Sequence, residues 1–432
     1  MREDCKKQSK ELIDFIKQGS SPFHVVIKGK KMLDDAGFSQ LMMGDEWGIQ
    51  SGGKYYIIPY PTSIIAFTVG DMVDDMGYKI ICSHTDSPTF KIKPKSEINT
   101  EKYITLNTEV YGGPVYYTWF DRPLSIAGKV ALKSDNPMKP TMEYIDCKKP
   151  ILTIPSLAIH MNRDVNKGVE IHPQKDTLPL MGLINNSLEK DNYLLSYIAQ
   201  QLDVQVEDIL DFDLYLYLAE EGQLIGMNEE FLQAPRLDDL ASVYSSLRAL
   251  INVENKTGIN IAACFDNEEI GSRTKQGADS VLFSNILERI SIGLKRTKSK
   301  HYRMYDSSFM ISADGAHALH PNAVEKNDPT NKPVLNQGVV LKLSAKQSYA
   351  TDCESTAVVQ QLCNMTKIPY QKFVNRSGSL GGKTLAPIIS SYVPIKATDI
   401  GVPMLAMHSS KELVGVDDLL YMNELFINFY SV

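Results

Sequence analysis

A chain of 432 residues with 43% hydrophobic and 22% charged residues has the composition of an ordinary globular protein, long enough for a sizeable core and more than one domain. Its formal net charge of -7, with no block of Lys or Arg, argues against a nucleic-acid partner or an anionic membrane surface. The six cysteines are scattered without a CxxC pair, which disfavours a structural zinc ribbon and suits a reducing, cytoplasmic setting. Residues 1–10 lack the apolar centre of a signal peptide, and no run is long enough to span a membrane.

Residues 5–18 read as a helix, with Leu12, Ile13 and Ile16 at helical spacing. Ser20-Ser21-Pro22 breaks it, and 24–33 reads as a second helix. Residues 55–69, interrupted at 59–62, read as a hairpin. A short buried strand over 78–83 then delivers His84-Thr85-Asp86-Ser87-Pro88. The character changes after about residue 90. Stretches 91–130 and 148–155 alternate β-formers with turns, a polar tract fills 162–176, and helical patterning returns only at 192–202. This middle part, 91–210, is predicted to be an inserted β-rich domain, leaving 1–90 and 211–432 as one discontinuous domain. From 211 onward the sequence predicts a strand at 213–219, an amphipathic helix at 239–252 and a strand at 259–264. A helix at 281–292 follows, then strands at 309–312 and 404–407. Such alternation implies an α/β fold with a mostly parallel sheet flanked by helices.

In open α/β sheets, sites form beyond the carboxyl ends of strands. Five segments here end an apolar run with metal-type side chains: His84-Thr85-Asp86, Asp238-Asp239, Glu268-Glu269, Asp314 and His408. Each has a plain alternative, as a polar strand end, a helix N-cap or a solvated surface pair. His84 and Asp86 are two apart and share a face on extended backbone, so Asp86 can fix the second imidazole nitrogen. Asp238 can bridge two metals while Asp239 begins the helix. On extended chain Glu268 and Glu269 point in opposite directions, so one can hold a metal while the other faces a water. His317 and His320 compete as ligands. Jointly the set offers two histidines, two aspartates and a glutamate, with one glutamate spare. Two metals sharing one bridging carboxylate need that inventory, and its His content favours zinc.

Longer motifs carry a resemblance. SHTDSP at 83–88, TWFDRPLSIAGKV at 118–130, AIHMNRDVN at 158–166, RLDDL at 236–240, FDNEEIGS at 265–272, SADGAHALHPN at 312–322 and MLAMHSSKE at 404–412 occur in order along the chain. With SSPFHVV at 20–26 and GGKYY at 52–56, they resemble the aspartyl aminopeptidase and vacuolar aminopeptidase I family of dinuclear zinc metallo-aminopeptidases. The resemblance implies a zinc-exopeptidase type of fold, with the inserted domain making subunit contacts and covering the site. It implies two zinc ions per subunit, with cobalt or manganese as substitutes. His84 and Asp314 would complete one site, Glu269 and His408 the other, with Asp238 shared. Glu268 would be the general base and Asp86 a brace behind His84. His160 would reach into a neighbouring subunit's site. The implied assembly is a tetrahedral homododecamer acting on peptides in the cytoplasm.

Two stretches depart from the family pattern near the expected substrate pocket. Relatives often read GGSTLGP where this chain has Gly381-Gly382-Lys383-Thr384-Leu385-Ala386-Pro387, and KxNxxQRYAT where it has KLSAKQSYAT at 342–351. Lys342 and Lys383 are candidates to pair with an acidic substrate side chain, with Tyr349 beside them. Alternatively, Lys383 fills the pocket or snorkels to solvent. Ala386 is awkward if the family glycine serves a positive φ. Removal of an acidic or neutral N-terminal residue is the leading reading. A carboxypeptidase, an N-acyl amino-acid deacylase or a non-catalytic assembly homologue are the alternatives.

Overall fold

The computed structural model describes residues 2–72, 77–184, 192–379 and 381–432. The chain forms two compact units. One comprises Met1–Ser87, Gly222–Met407 and Glu412–Val432, and the other Pro88–Glu221 with His408–Lys411. The second unit begins earlier and ends later than the composition shift at 91–210. The strands Thr89–Thr100 and Ile209–Leu218 are both members of its sheet, and their apolar halves read like the flanking domain.

The first unit is built on a nine-stranded sheet. At its centre Tyr78–His84 lies between Ile259–Phe265 and Phe309–Ala313, both parallel to it. The strand Lys396–Gly401 continues the parallel run, while the hairpin Lys54–Tyr60 and Ser63–Val69 adds antiparallel strands on the other side. Successive residues of each central strand enter opposite cores, which explains their unbroken apolar runs. Ile64, Ile81, Ala262 and Ile311 face helices Arg2–Gln18, Pro22–Asp35, Leu237–Asn252 and Val416–Ser431. Ile65, Ile80, Ala263 and Met310 face Leu282–Gly293 and Leu385–Ile389. A separate five-stranded sheet contains Phe231–Ala234, Glu412–Gly415 and Pro403–Leu405.

The second unit is a six-stranded antiparallel sheet whose core includes Phe90, Leu106, Trp119, Ile126 and Leu214. Leu194 and Ile198 of the helix Tyr193–Leu202 pack on it. Among the described residues no helix is long and apolar enough to cross a membrane, and the six cysteines form no disulfide.

The predicted strand 404–407 ends early, at Leu405. Ala406 and His408 take left-handed backbone conformations that turn the chain out of the sheet. The helix Val416–Ser431 escaped sequence reading because it is buried around most of its girth, so no polar stripe marks its period. Its Asp418 is buried, and the carboxylate accepts the N–H groups of Asn336 and Gly338 at 2.6 and 2.8 Å. Burial nevertheless pushes its pKa up to about 8. A carboxyl raised on folding adds stability that is full below its unfolded pKa of 3.8 and is lost as pH rises through about 8. The urea midpoint of the metal-free protein should therefore fall between pH 6 and pH 9, and fall less steeply in Asp418→Asn. Equal slopes for the two proteins would refute the assignment.

Candidate metal centre

Three adjacent parallel strands end together, and His84, Asp314 and the two glutamates lie at or just beyond their carboxyl ends. His84 is the last residue of its strand and stands opposite Phe265. Asp314 follows Phe309–Ala313 directly. It comes close because residue 401 is glycine: a Cβ there would lie 2.0 Å from the Asp314 carbonyl oxygen. Asp238 and Asp239 open the helix Leu237–Asn252 with non-helical dihedrals, after Arg236 in the left-handed region, and the peptide between them is cis. Asp239 is no ordinary N-cap. Its Oδ2 accepts the backbone N–H of His84 at 3.1 Å, tying helix to strand.

His84 Nε2 lies 3.3 Å from Asp238 Oδ1 and 3.9 Å from Asp314 Oδ1. One ligand atom from each of these three residues falls within 4.8 Å of the others. The same holds for His84, Glu268 and Glu269, and Asp238 and Glu269 also approach within that distance. Carboxylate oxygens and an imidazole nitrogen gathered this closely fit a divalent ion of the zinc class.

Glu268 and Glu269 do not lie on extended chain, contrary to the expectation from sequence. The strand stops at Phe265, Asn267 turns left-handed, and Glu268–Ile270 is a short 3-10 turn. Their arrangement comes instead from Asp86. Its two carboxylate oxygens accept the N–H groups of Glu268 and Glu269, each at 3.1 Å. Asp86 also braces His84, whose Nδ1 lies 3.4 Å from Asp86 Oδ1 and 3.1 Å from its carbonyl oxygen. The spacing of His84 and Asp86 signalled only the second of these jobs.

Negative charge dominates. Burial opposes a charged His84, but Asp238, Asp314 and Asp86 hold its pKa well above the ordinary value. Burial, reinforced by Asp314, Asp86 and Asp238, pushes Glu268 up to about 8, with His84 opposing. Burial likewise raises Asp239 and Asp266, the latter to about 7 with the Asp86 charge beside it. Carboxyls crowded in this way repel one another, and a divalent cation offsets that repulsion. The buried Lys342 supplies a fixed positive charge, with its Nζ 3.4 Å from Asp314 Oδ2 and 5.6 Å from the buried Tyr349 ring.

The remaining candidates belong to both units. His408 belongs to the short segment grouped with the second unit, where its Nδ1 lies 3.1 Å from the Gly113 carbonyl oxygen. His160 is exposed in the second unit, and Lys383 is exposed in the first. Ala386 sits inside the helix Leu385–Ile389 with its side chain buried, so no positive φ is needed there. Both His317 and His320 are exposed. The first packs near the Phe373 ring, and Nδ1 of the second meets the Asn322 N–H.

Comparison with known proteins agrees with this site. The family model for the aminopeptidase I zinc metalloproteases (M18) matches residues 15–430. A probable M18 family aminopeptidase 2 of Clostridium novyi (strain NT) is 49% identical over 428 residues, covering 99% of each chain. Aspartyl aminopeptidase 4 of Saccharomyces cerevisiae is 37% identical over 466 residues, covering 99% of this chain and 95% of its own. The solved S. cerevisiae mApe1 dodecamer is similar with a TM-score of 0.84 at 29% identity, covering 98% of this chain and 96% of its own. A metal-type cluster at the strand ends and a family match along nearly the whole sequence lead to one conclusion: the chain belongs to the M18 family and is a zinc metallo-aminopeptidase.

Proposed function

We propose that this aminopeptidase removes an acidic or neutral N-terminal residue from short peptides, with two zinc ions per subunit and Glu268 as general base. Cobalt or manganese could replace zinc. His84 and Asp314 would hold one ion, Glu269 and His408 the other, with Asp238 serving both. The observation that carries this reading is the grip of Asp86 on consecutive peptide N–H groups, which sets Glu268 and Glu269 side by side on one turn. When bound, the two ions lower the pKa of a water and polarise the scissile carbonyl.

Glu268 takes the proton of the attacking water and returns it to the departing amine. Lys342 and Tyr349 line the first substrate pocket beside Asp314, and the exposure of Lys383 favours the reading in which it reaches solvent.

We further propose a tetrahedral homododecamer in the cytoplasm, with the β-rich unit making subunit contacts and His160 reaching a neighbouring site. The dodecameric yeast relative supports this, as do the exposed Leu157, Ile159 and Met161 around His160.

Glu268→Gln should lower kcat by about 10²–10⁴-fold while leaving bound zinc unchanged by elemental analysis. Asp238→Ala should lose the metal itself. Turnover retained by a zinc-loaded Glu268→Gln protein would remove Glu268 from the mechanism. A panel of aminoacyl chromogenic substrates (Asp, Glu, Leu, Met, Ala, Lys) should show cleavage of acidic or neutral members that blocking the amine abolishes. Dependence on a free carboxylate instead would move the enzyme to the carboxypeptidase or deacylase reading.

A further inference from the structure

The peptide of Asp238 is held from two directions. Its N–H donates to Glu412 Oε2 at 2.9 Å, and its carbonyl accepts the Ser87 hydroxyl at 3.0 Å. A first-turn N–H of a helix has no partner within the helix, and leaving one buried and unpaired costs about 1–3 kcal/mol. Such groups are usually satisfied by a Ser, Thr, Asp or Asn at the cap itself. Here the acceptor comes from 174 residues away.

The fold explains how Glu412 arrives. It starts the strand Glu412–Gly415, which pairs antiparallel with Phe231–Ala234 and sets Glu412 opposite Ala234. Only Pro235, Arg236 and Leu237 separate Ala234 from Asp238, and Arg236 turns left-handed between them. Glu412 is 2% exposed. A neutral amide could accept the same N–H. A buried carboxylate instead adds negative charge where Asp238, Asp239 and Asp314 already repel one another, and a bound divalent cation offsets that repulsion beyond what His84 and Lys342 supply. Charge-assisted bonding also makes its hold on the peptide firmer than an amide's.

We propose that Glu412 is a positioning residue of the metal centre, one that fixes the backbone of Asp238 and raises the site's affinity for divalent ions. The proposal rests on Asp238 being a ligand. The test is zinc affinity, measured by competition with a chromophoric chelator, alongside thermal melting of the metal-free proteins. Glu412→Gln keeps an acceptor and should bind zinc about 10-fold more weakly, with a metal-free melting point no lower than wild type. Glu412→Ala should weaken zinc about 100-fold, in line with losses seen when supports of metal ligands are removed. Because the alanine variant can fail to fold, the glutamine variant carries the decision. Wild-type zinc affinity in Glu412→Gln would overturn the proposal, and so would a lower melting point with unchanged affinity. Asp238→Ala, measured in parallel, separates the two claims. If it binds zinc as tightly as wild type, the ligand assignment fails, whatever Glu412 does.

Discussion

Asp86 lies buried with both carboxylate oxygens on backbone N–H groups, so its charge is spread over two peptides of a single turn. In the proposed mechanism that turn keeps two chemically identical side chains in different roles within 4.8 Å of one another. A glutamate on a free loop would sample many rotamers, and bringing it into register would take back the entropy on every catalytic cycle. Fixing the peptide removes most of that freedom before any substrate arrives. The same carboxylate braces His84, so one buried charge sets the relation between a strand end and the turn beside it.

The pattern recurs with Asp239 on the His84 N–H. The side chains behind the site grip main chain, and the side chains in front are left to gather their charge. Such a division suits a cluster whose members repel one another, because the backbone is restrained by bonds that do not depend on what occupies the centre. The nine-stranded sheet provides the floor. Its central strands are covered on both sides by apolar layers, which leaves their carboxyl ends as the natural outlet for polar groups.

Much of this was legible in the sequence. Apolar runs ending in His84, Asp314 and the two glutamates marked strand ends, and short motifs in fixed order identified the family. What could not be read was any dependence on contacts between distant residues. The two glutamates looked like strand residues because Cys264 and Phe265 continue so smoothly into them, whereas the left-handed Asn267 breaks the strand. Asp239 looked like a cap because caps are local, and its partner His84 is 155 residues away. Lys383 carried an apparent message about specificity from its motif alone, but its exposure weakens that message. The helix Val416–Ser431 had no signature because burial on most sides erases periodicity.

The order of strands in the sheet also bears on synthesis. Tyr78–His84 pairs with Ile259–Phe265 and Phe309–Ala313, and the segment Pro88–Glu221 of the β-rich unit intervenes in sequence. A nascent chain that has emerged only through the β-rich unit holds His84 on a strand with neither neighbour. That unit, whose six strands all lie between residues 89 and 218, can fold first as a domain. The hydrolytic centre can close only after most of the polypeptide has left the ribosome. Each copy of this enzyme is thereby inert while its own chain is still emerging, without any separate inhibitor.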